Sequence, residues 1–261
     1  NMPDYDLSIK ISAYLDRHLI IPLLEFISAK DIYNERDILQ SRLELLKDTN
    51  MVDYECDIYA TLNSGLDTDD VLEVFSDKRQ AVLTKISDVE DRFAPVKAIF
   101  SEKAMKDMEH CQRDATNFLE KLCKDFEFKI EMLDDMYEYS RVYYDCGAYL
   151  KSSETLYVMK QLCGTDKRGL SAMWGKLACE ILLQNWEQAL LDVQALREAL
   201  DSVTGISPLQ ALQQRTWLLH WALFVFFNHP KGKETLVDWF LADAKNLNAI
   251  QTLAPHLLRY L

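Results

Sequence analysis

The sequence predicts an all-α fold, a solenoid of stacked two-helix hairpins. Three observations carry that expectation. Turn-forming residues are scarce, with 7 Gly and 6 Pro in 261 residues, while 49% of the chain is hydrophobic and 27% charged. Long helices with few turns fit that composition, and a β-sandwich does not. Apolar residues recur at spacings of three and four along most of the chain. Finally, Gly147-Ala148-Tyr149-Leu150-Lys151-Ser152 is answered 37 residues later by Gln184-Asn185-Trp186-Glu187-Gln188-Ala189. In each copy an apolar run meets a corner, an aromatic follows (Tyr149, Trp186), and a small residue (Ser152, Ala189) stands three positions on. Leu156 and Met159 then match Val193 and Leu196. Gly147 or its counterpart makes the corner, the aromatic plugs the gap between two helices, and Ser152 or Ala189 lets their backbones approach. The offset lies in the range of right-handed TPR- or HEAT-like repeats. A single hairpin cannot bury its own apolar face, so its neighbours should be hairpins too. The competing reading is a helical bundle without true repeats.

Two regions follow. Residues 1–130 form an N-terminal helical region with a long helix at about 68–100, and residues 131–261 hold the hairpin repeats. Leu7, Ile11, Tyr14, Leu15 and His18 lie at helical spacing. Pro22 is expected to open a second helix, where a missing N–H does no harm, with Leu23, Phe26 and Ile27 on its apolar face. Leu39, Leu43 and Leu46 mark a third helix. Asn50 is placed to cap a fourth, which buries Val52, Cys56 and Tyr59. After a loop at Asn63–Asp67, Thr68-Asp69-Asp70 starts the long helix, with acids at the positive end of its dipole. Val82, Ile86, Val89, Phe93, Val96 and Phe100 alternate spacings of 4 and 3, which reads as a helix packed on its neighbours or as a short coiled-coil seam. Pro95 should kink or break it near Asp91. Residues 101–113 are polar and irregular, and read as a mobile connection. Phe118, Leu119, Leu122 and Phe126 mark the next helix, and Leu133 to Tyr144 the start of the first hairpin. Gly164–Gly169 separates the hairpins. Ser207-Pro208-Leu209-Gln210 is a capping box with proline at the first helical position. From Trp217 to Phe227 the helix is apolar nearly all round and must be covered on most sides. Asn1 ahead of Met2 reads as an appended residue, and the apolar close at His256–Leu261 reads as the interior of a longer chain.

Charge narrows the function. The net charge is −13, and residues 1–130 hold 27 acidic against 17 basic side chains. An acidic surface repels phosphate, which argues against nucleic acid as the main ligand and for protein partners or plain solubility. Cys56, Cys111, Cys123, Cys146, Cys163 and Cys179 are scattered without a CxxC pair, and read as reduced thiols of a cytoplasmic or nuclear protein. No signal peptide follows the N-terminus. Trp217–Phe227 is about half the length a bilayer needs, so no membrane span is expected.

Motifs with chemical potential fall short of a site. Gly232-Lys233 lacks both the upstream glycine of a phosphate loop and its Ser or Thr. His110-Cys111 with Cys123 wants a fourth zinc ligand. Asp69-Asp70 and Asp134-Asp135 lack the glycine and terminal glutamate of a calcium loop. His220 reads as a hydrogen-bonded core histidine unless a carboxylate and a polar pocket surround it. No nucleophile–base set emerges, so no cofactor, metal or catalytic residue is expected. Lys151, Lys160, Lys167, Lys176 and Arg197 could grip a partner carboxylate in a peptide-binding adaptor. Ile20 and Ile21 are read as core first and partner contacts second. Lys167-Arg168 and Lys231-Gly232-Lys233 are basic islands that could meet a partner, and otherwise are solvated loops.

Several longer strings go further. Asp16–Phe26 (DRHLIIPLLEF), Trp174–Ala178 (WGKLA), Leu212–Trp221 (LQQRTWLLHW), Phe226–Gly232 (FFNHPKG) and Leu247–Thr252 (LNAIQT) strongly resemble the e-subunit family of eukaryotic translation initiation factor 3, within the PCI-domain proteins. The resemblance runs from Met2 to Leu261 and is weakest over residues 61–116. It implies a helical-repeat arm leading into the helical part of a PCI domain, with the winged helix beyond this chain. It also implies a non-catalytic scaffold that helps assemble the factor on the small ribosomal subunit and recruit mRNA. The partners it implies are the PCI subunits of the factor, such as c and l, and its d subunit. A PCI scaffold of the proteasome lid or COP9 signalosome is the alternative.

Overall fold

A computed structural model describes residues 6–65, 68–100 and 115–261, and among them every regular element is helical. The chain divides into two compact units, Leu24–Gly175 and a discontinuous one of Asn1–Leu23 with Lys176–Leu261.

In the first unit α3 (Glu35–Leu46) packs on α4 (Val52–Leu62), α4 on α5 (Thr68–Ile99), α5 on α7 (Met132–Asp145), and α7 on α8 (Tyr149–Cys163); α6 (Ala115–Asp125) also reaches α8. Asn34 starts α3 by accepting from the Arg36 N–H at 2.9 Å. Val52, Cys56, Val71 and Val82 form a core between α4 and α5, closed by Tyr59, Phe75, Ile86 and Cys146. The 4–3 seam of α5 faces its neighbours: Val82, Val89 and Val96 are buried, Phe93 stacks on Tyr139 at 4.0 Å, and Phe100 meets the Phe128 edge at 6.0 Å.

The discontinuous unit is built around α11 (Pro208–Asn228), which packs on α10 (Trp186–Ser202), α12 (Gly232–Val237) and α13 (Ala244–Leu253). Its capping box forms in full, with the Gln210 N–H donating to Ser207 Oγ at 3.2 Å and the Ser207 N–H to Gln210 Oε1 at 3.0 Å. Leu218, Leu219, Ala222, Val225 and Phe226 are buried, while Trp217 and Phe227 are about half exposed. Gly232 is required by space: a Cβ there would lie 2.1 Å from the Phe226 carbonyl oxygen. α12 runs into a π-helical turn, Asp238–Ala242, and the described chain ends in a 3₁₀ turn, Pro255–Tyr260.

Two local expectations fail, and of a third, that Pro95 kinks or breaks its helix, the break does not occur. Pro22 does not open a helix. α1 (Ser8–Ser12) ends early, Asp16 accepts from the His18 N–H at 2.9 Å, and α2 (Arg17–Ala29) passes through Pro22. The proline forfeits one hydrogen bond, to the His18 carbonyl, and burial of Leu19, Ile21 and Ile27 outweighs it. Pro95 does not break α5 at Asp91; the helix continues to Ile99, held by the fully buried Val96. Asn50 does not cap α4. Met51 occupies that position, and the Asn50 N–H instead donates to the Asp145 carbonyl at 3.0 Å. The stretch 101–113 lies outside the described residues.

Candidate functional site

Both corners of the 37-residue offset share one backbone geometry. Gly147 has φ +80° and Gln184 φ +58°. Each is followed by a residue of nearly the same shape, Ala148 at −86°, 62° and Asn185 at −85°, 74°. The N–H of Gly147 donates to Tyr144 and that of Ala148 to Tyr143; Gln184 donates to Ile181 and Asn185 to Glu180, all at 2.9–3.0 Å. This is the Schellman pattern, in which a left-handed residue lets two donors return to the last helical carbonyls. Ser152 and Ala189 are fully buried, as are Leu156, Met159, Val193 and Leu196 to within a few per cent. Ser152 Oγ finds no hydrogen-bond partner among the described residues. Tyr149 lies edge-on to Tyr144 at 5.5 Å. Trp186 is half-buried at the start of α10.

The basic residues divide sharply. Lys176, on α9 (Lys167–Leu182), is buried; its ammonium meets Glu180 at 3.1 Å and also Asp192 of α10. A lysine with two carboxylates already in hand cannot grip a partner, and its role is to hold α9 on α10. Lys151 lies over the Tyr143 ring at 4.5 Å and Arg197 over Trp239 at 4.8 Å. Arg168 forks onto Asp134 at 3.1 and 3.2 Å. Lys167, Arg168, Lys231 and Lys233 are exposed; Ile20 is half-buried and Ile21 buried.

His220 is buried and bonded through both ring nitrogens. Nδ1 lies 2.7 Å from the Thr216 carbonyl, so it carries the proton, and Nε2 then accepts from His256 Nε2–H at 2.9 Å. Tyr14 stacks on the His220 ring at 4.0 Å, its hydroxyl donates to the Leu253 carbonyl at 3.1 Å, and Trp221 Nε1–H donates to its own carbonyl at 2.9 Å. Burial pushes the His220 pKa down to about 4, against a smaller upward pull from the Thr216 carbonyl. His256 is also lowered, by burial and then by the Lys10 charge. The pair therefore stays neutral and ties three segments of the discontinuous unit together. Among the described residues no cluster of three or more His, Cys, Asp or Glu is placed to hold a metal, and no helix is long and apolar enough to cross a membrane. His110 and Cys111 lie outside the described residues; Cys123 is exposed.

What the chain offers is thus a set of hairpins with exposed apolar and basic side chains. Residues 6–143, over half of the chain, match the family model described as the eIF3 subunit 6 N terminal domain. The chain belongs to this eIF3 family. Similarity continues beyond the family model. Over 264 aligned residues the chain is 46% identical to the E subunit of eukaryotic translation initiation factor 3 from Bombyx mori, covering 98% of this chain and 58% of that protein. The corresponding protein of Drosophila pseudoobscura pseudoobscura is 41% identical over 261 residues (100% and 58%), and that of Arabidopsis thaliana 39% over 259 residues (99% and 57%). The eIF3-family chain thus spans a little under three-fifths of the length of these curated relatives.

Sequence reasoning missed the partners of His220 and the burial of Lys176. Glu180, four residues after Lys176, was a usable signal; Asp192, Tyr14 and His256 come from distant segments and leave no local trace.

Proposed function

We propose that the chain is the helical scaffold portion of a subunit of translation initiation factor 3, acting without chemistry of its own by docking other protein subunits. The observation that carries this reading is similarity over nearly the entire chain to proteins named as the factor's E subunit in insects and a plant. In this reading the hairpins are rigid supports whose buried seams fix the spacing of exposed side chains. Aromatics left half exposed on α11, Trp217 and Phe227, are residue types that anchor protein interfaces. The partners are PCI subunits such as c and l, and the d subunit, and the small ribosomal subunit is reached through the assembled factor. Residues 131–261 lead into the helical part of a PCI domain, and the protein works in the cytoplasm. The relatives' names favour this factor over a PCI scaffold of the proteasome lid or COP9 signalosome.

The test is capture of the purified c, l and d subunits by the immobilised 261-residue chain, beside a full-length E subunit. Retention of at least one at 150 mM salt by the chain supports the proposal. Retention by the full-length protein alone would move the docking role outside these residues and overturn the proposal for this chain.

A further inference from the structure

The corner before α10 and the turn between α11 and α12 border an open cavity of about 430 Å³, lined among others by Asn185, Glu187, Leu191, His229, Pro230 and Lys231. Two independent features of this cavity call for an anion.

The first is the start of α10. Asn185 makes no side-chain capping bond, and the helical ladder begins only with the Ala189 N–H on the Asn185 carbonyl at 2.9 Å. Among the described residues the N–H groups of Trp186, Glu187 and Gln188 are therefore unspent, at the positive end of a 17-residue helix. The second is His229, whose side chain is only 4% exposed. The Lys231 N–H donates to its Nδ1 at 3.0 Å, so the ring proton sits on Nε2. That buried Nε2–H has no hydrogen-bond partner among the described residues. Glu187 Oε2 stands 3.0 Å away, too far off the N–H axis to accept, on a side chain that is 82% exposed and free to leave. At the rim the Lys231 ammonium has no ion-pair partner among the described residues, and Leu191 and Pro230 supply an exposed apolar wall.

We propose that this cavity binds the free C-terminal carboxylate of a partner polypeptide whose last side chain is apolar, and that Glu187 stands beside the anion position, leaving the His229 donor unsatisfied, when the partner is absent. One carboxylate oxygen would take the helix N–H groups and the other His229 Nε2–H, since both elements border the same cavity. The adjoining Cα would then place an apolar side chain against Leu191 and Pro230. A phosphate fits less well: the site holds one cation, and the chain around it carries a net charge of −13. The inference goes beyond the subunit reading and does not depend on it, because the probe is a short peptide and no assembly is needed.

Fluorescence anisotropy of the 261-residue chain with a labelled hexapeptide, Gly-Ser-Thr-Ser-Ile-Leu with a free carboxylate, should saturate. The same peptide amidated at its C-terminus should bind about tenfold more weakly, the scale of a lost hydrogen-bonded charge. Lys231→Glu should weaken binding about tenfold, and Glu187→Ala should strengthen it several-fold by removing the internal competitor. Both positions are exposed, so neither change threatens folding. Free peptide should also shift the backbone amide NMR signals of Trp186, Glu187 and Gln188. Absence of saturation at millimolar peptide, equal affinity for the amidated form, indifference to both substitutions, or equally effective displacement by inorganic phosphate would each overturn the proposal.

Discussion

Acidification should loosen the discontinuous unit through one side chain, His220. In the folded chain its pKa is about 4, against an ordinary value of 6.5. Below pH 6.5 the unfolded chain takes up a proton that the folded chain refuses until about pH 4. The stability contributed by the neutral ring is therefore complete above 6.5 and is lost as pH falls from 6.5 towards 4. The ceiling is roughly 3 kcal/mol, and integration between pH 7 and pH 5 gives a loss of about 2 kcal/mol. The structural reason is simple: a proton on Nε2 would face His256 Nε2–H at 2.9 Å with donor against donor. The assay is urea unfolding of the chain and of His220→Gln from pH 7.5 to 5, followed by tryptophan fluorescence. Trp186, Trp217, Trp221 and Trp239 all report on this unit. Glutamine keeps a donor and an acceptor but does not titrate. His256, lowered in the same direction, is present in both proteins and largely cancels. The stability gap between the two proteins should shrink by about 2 kcal/mol from pH 7 to pH 5. A gap that does not change with pH, or an NMR titration placing His220 near 6.5, would refute the reasoning.

Gln184→Gly should raise stability by about 1 kcal/mol, because Gln184 is exposed and holds φ +58° at a position where glycine carries no Cβ penalty; thermal unfolding reads it. Ser152→Ala should be neutral or stabilising by about 1 kcal/mol, since it removes a buried, unpartnered hydroxyl and recreates the Ala189 counterpart; a midpoint lowered in urea would contradict this. Lys176→Met should cost about 3–5 kcal/mol by taking the ammonium from between two buried carboxylates, Glu180 and Asp192, and Lys176→Met with Glu180→Gln and Asp192→Leu should recover much of it; denaturant midpoints of both variants provide the check.

The features legible in the sequence are those decided within a few residues of one another. The capping box at Ser207–Gln210 needs only its own four residues. The two corners were visible because aromatic and small residues recur at fixed distances from them, although Gln184 hid a left-handed conformation that Gly147 advertises. The illegible features are decided by what arrives from elsewhere. Pro22 and Pro95 look like helix breakers until the burial of Leu19, Ile21 and Val96 is known. Asn50 looks like a cap until the Asp145 carbonyl comes within reach. Lys176 looks able to grip a partner's carboxylate until Asp192 of the same chain closes over it, and the pocket around His229 combines two turns some forty residues apart that share no pattern.

The long reach from Tyr14 to Trp221, 207 residues apart and joined by one indole hydrogen bond, bears on how the molecule is made. At a synthesis rate of about 5–20 residues per second, the first segment waits on the order of 10–40 s before its docking surface leaves the ribosome. During that interval Leu24–Gly175 has emerged complete and can assemble, while Tyr14 and its apolar neighbours stand uncovered. Nascent chains stalled before Trp221 should therefore be the ones that chaperones hold.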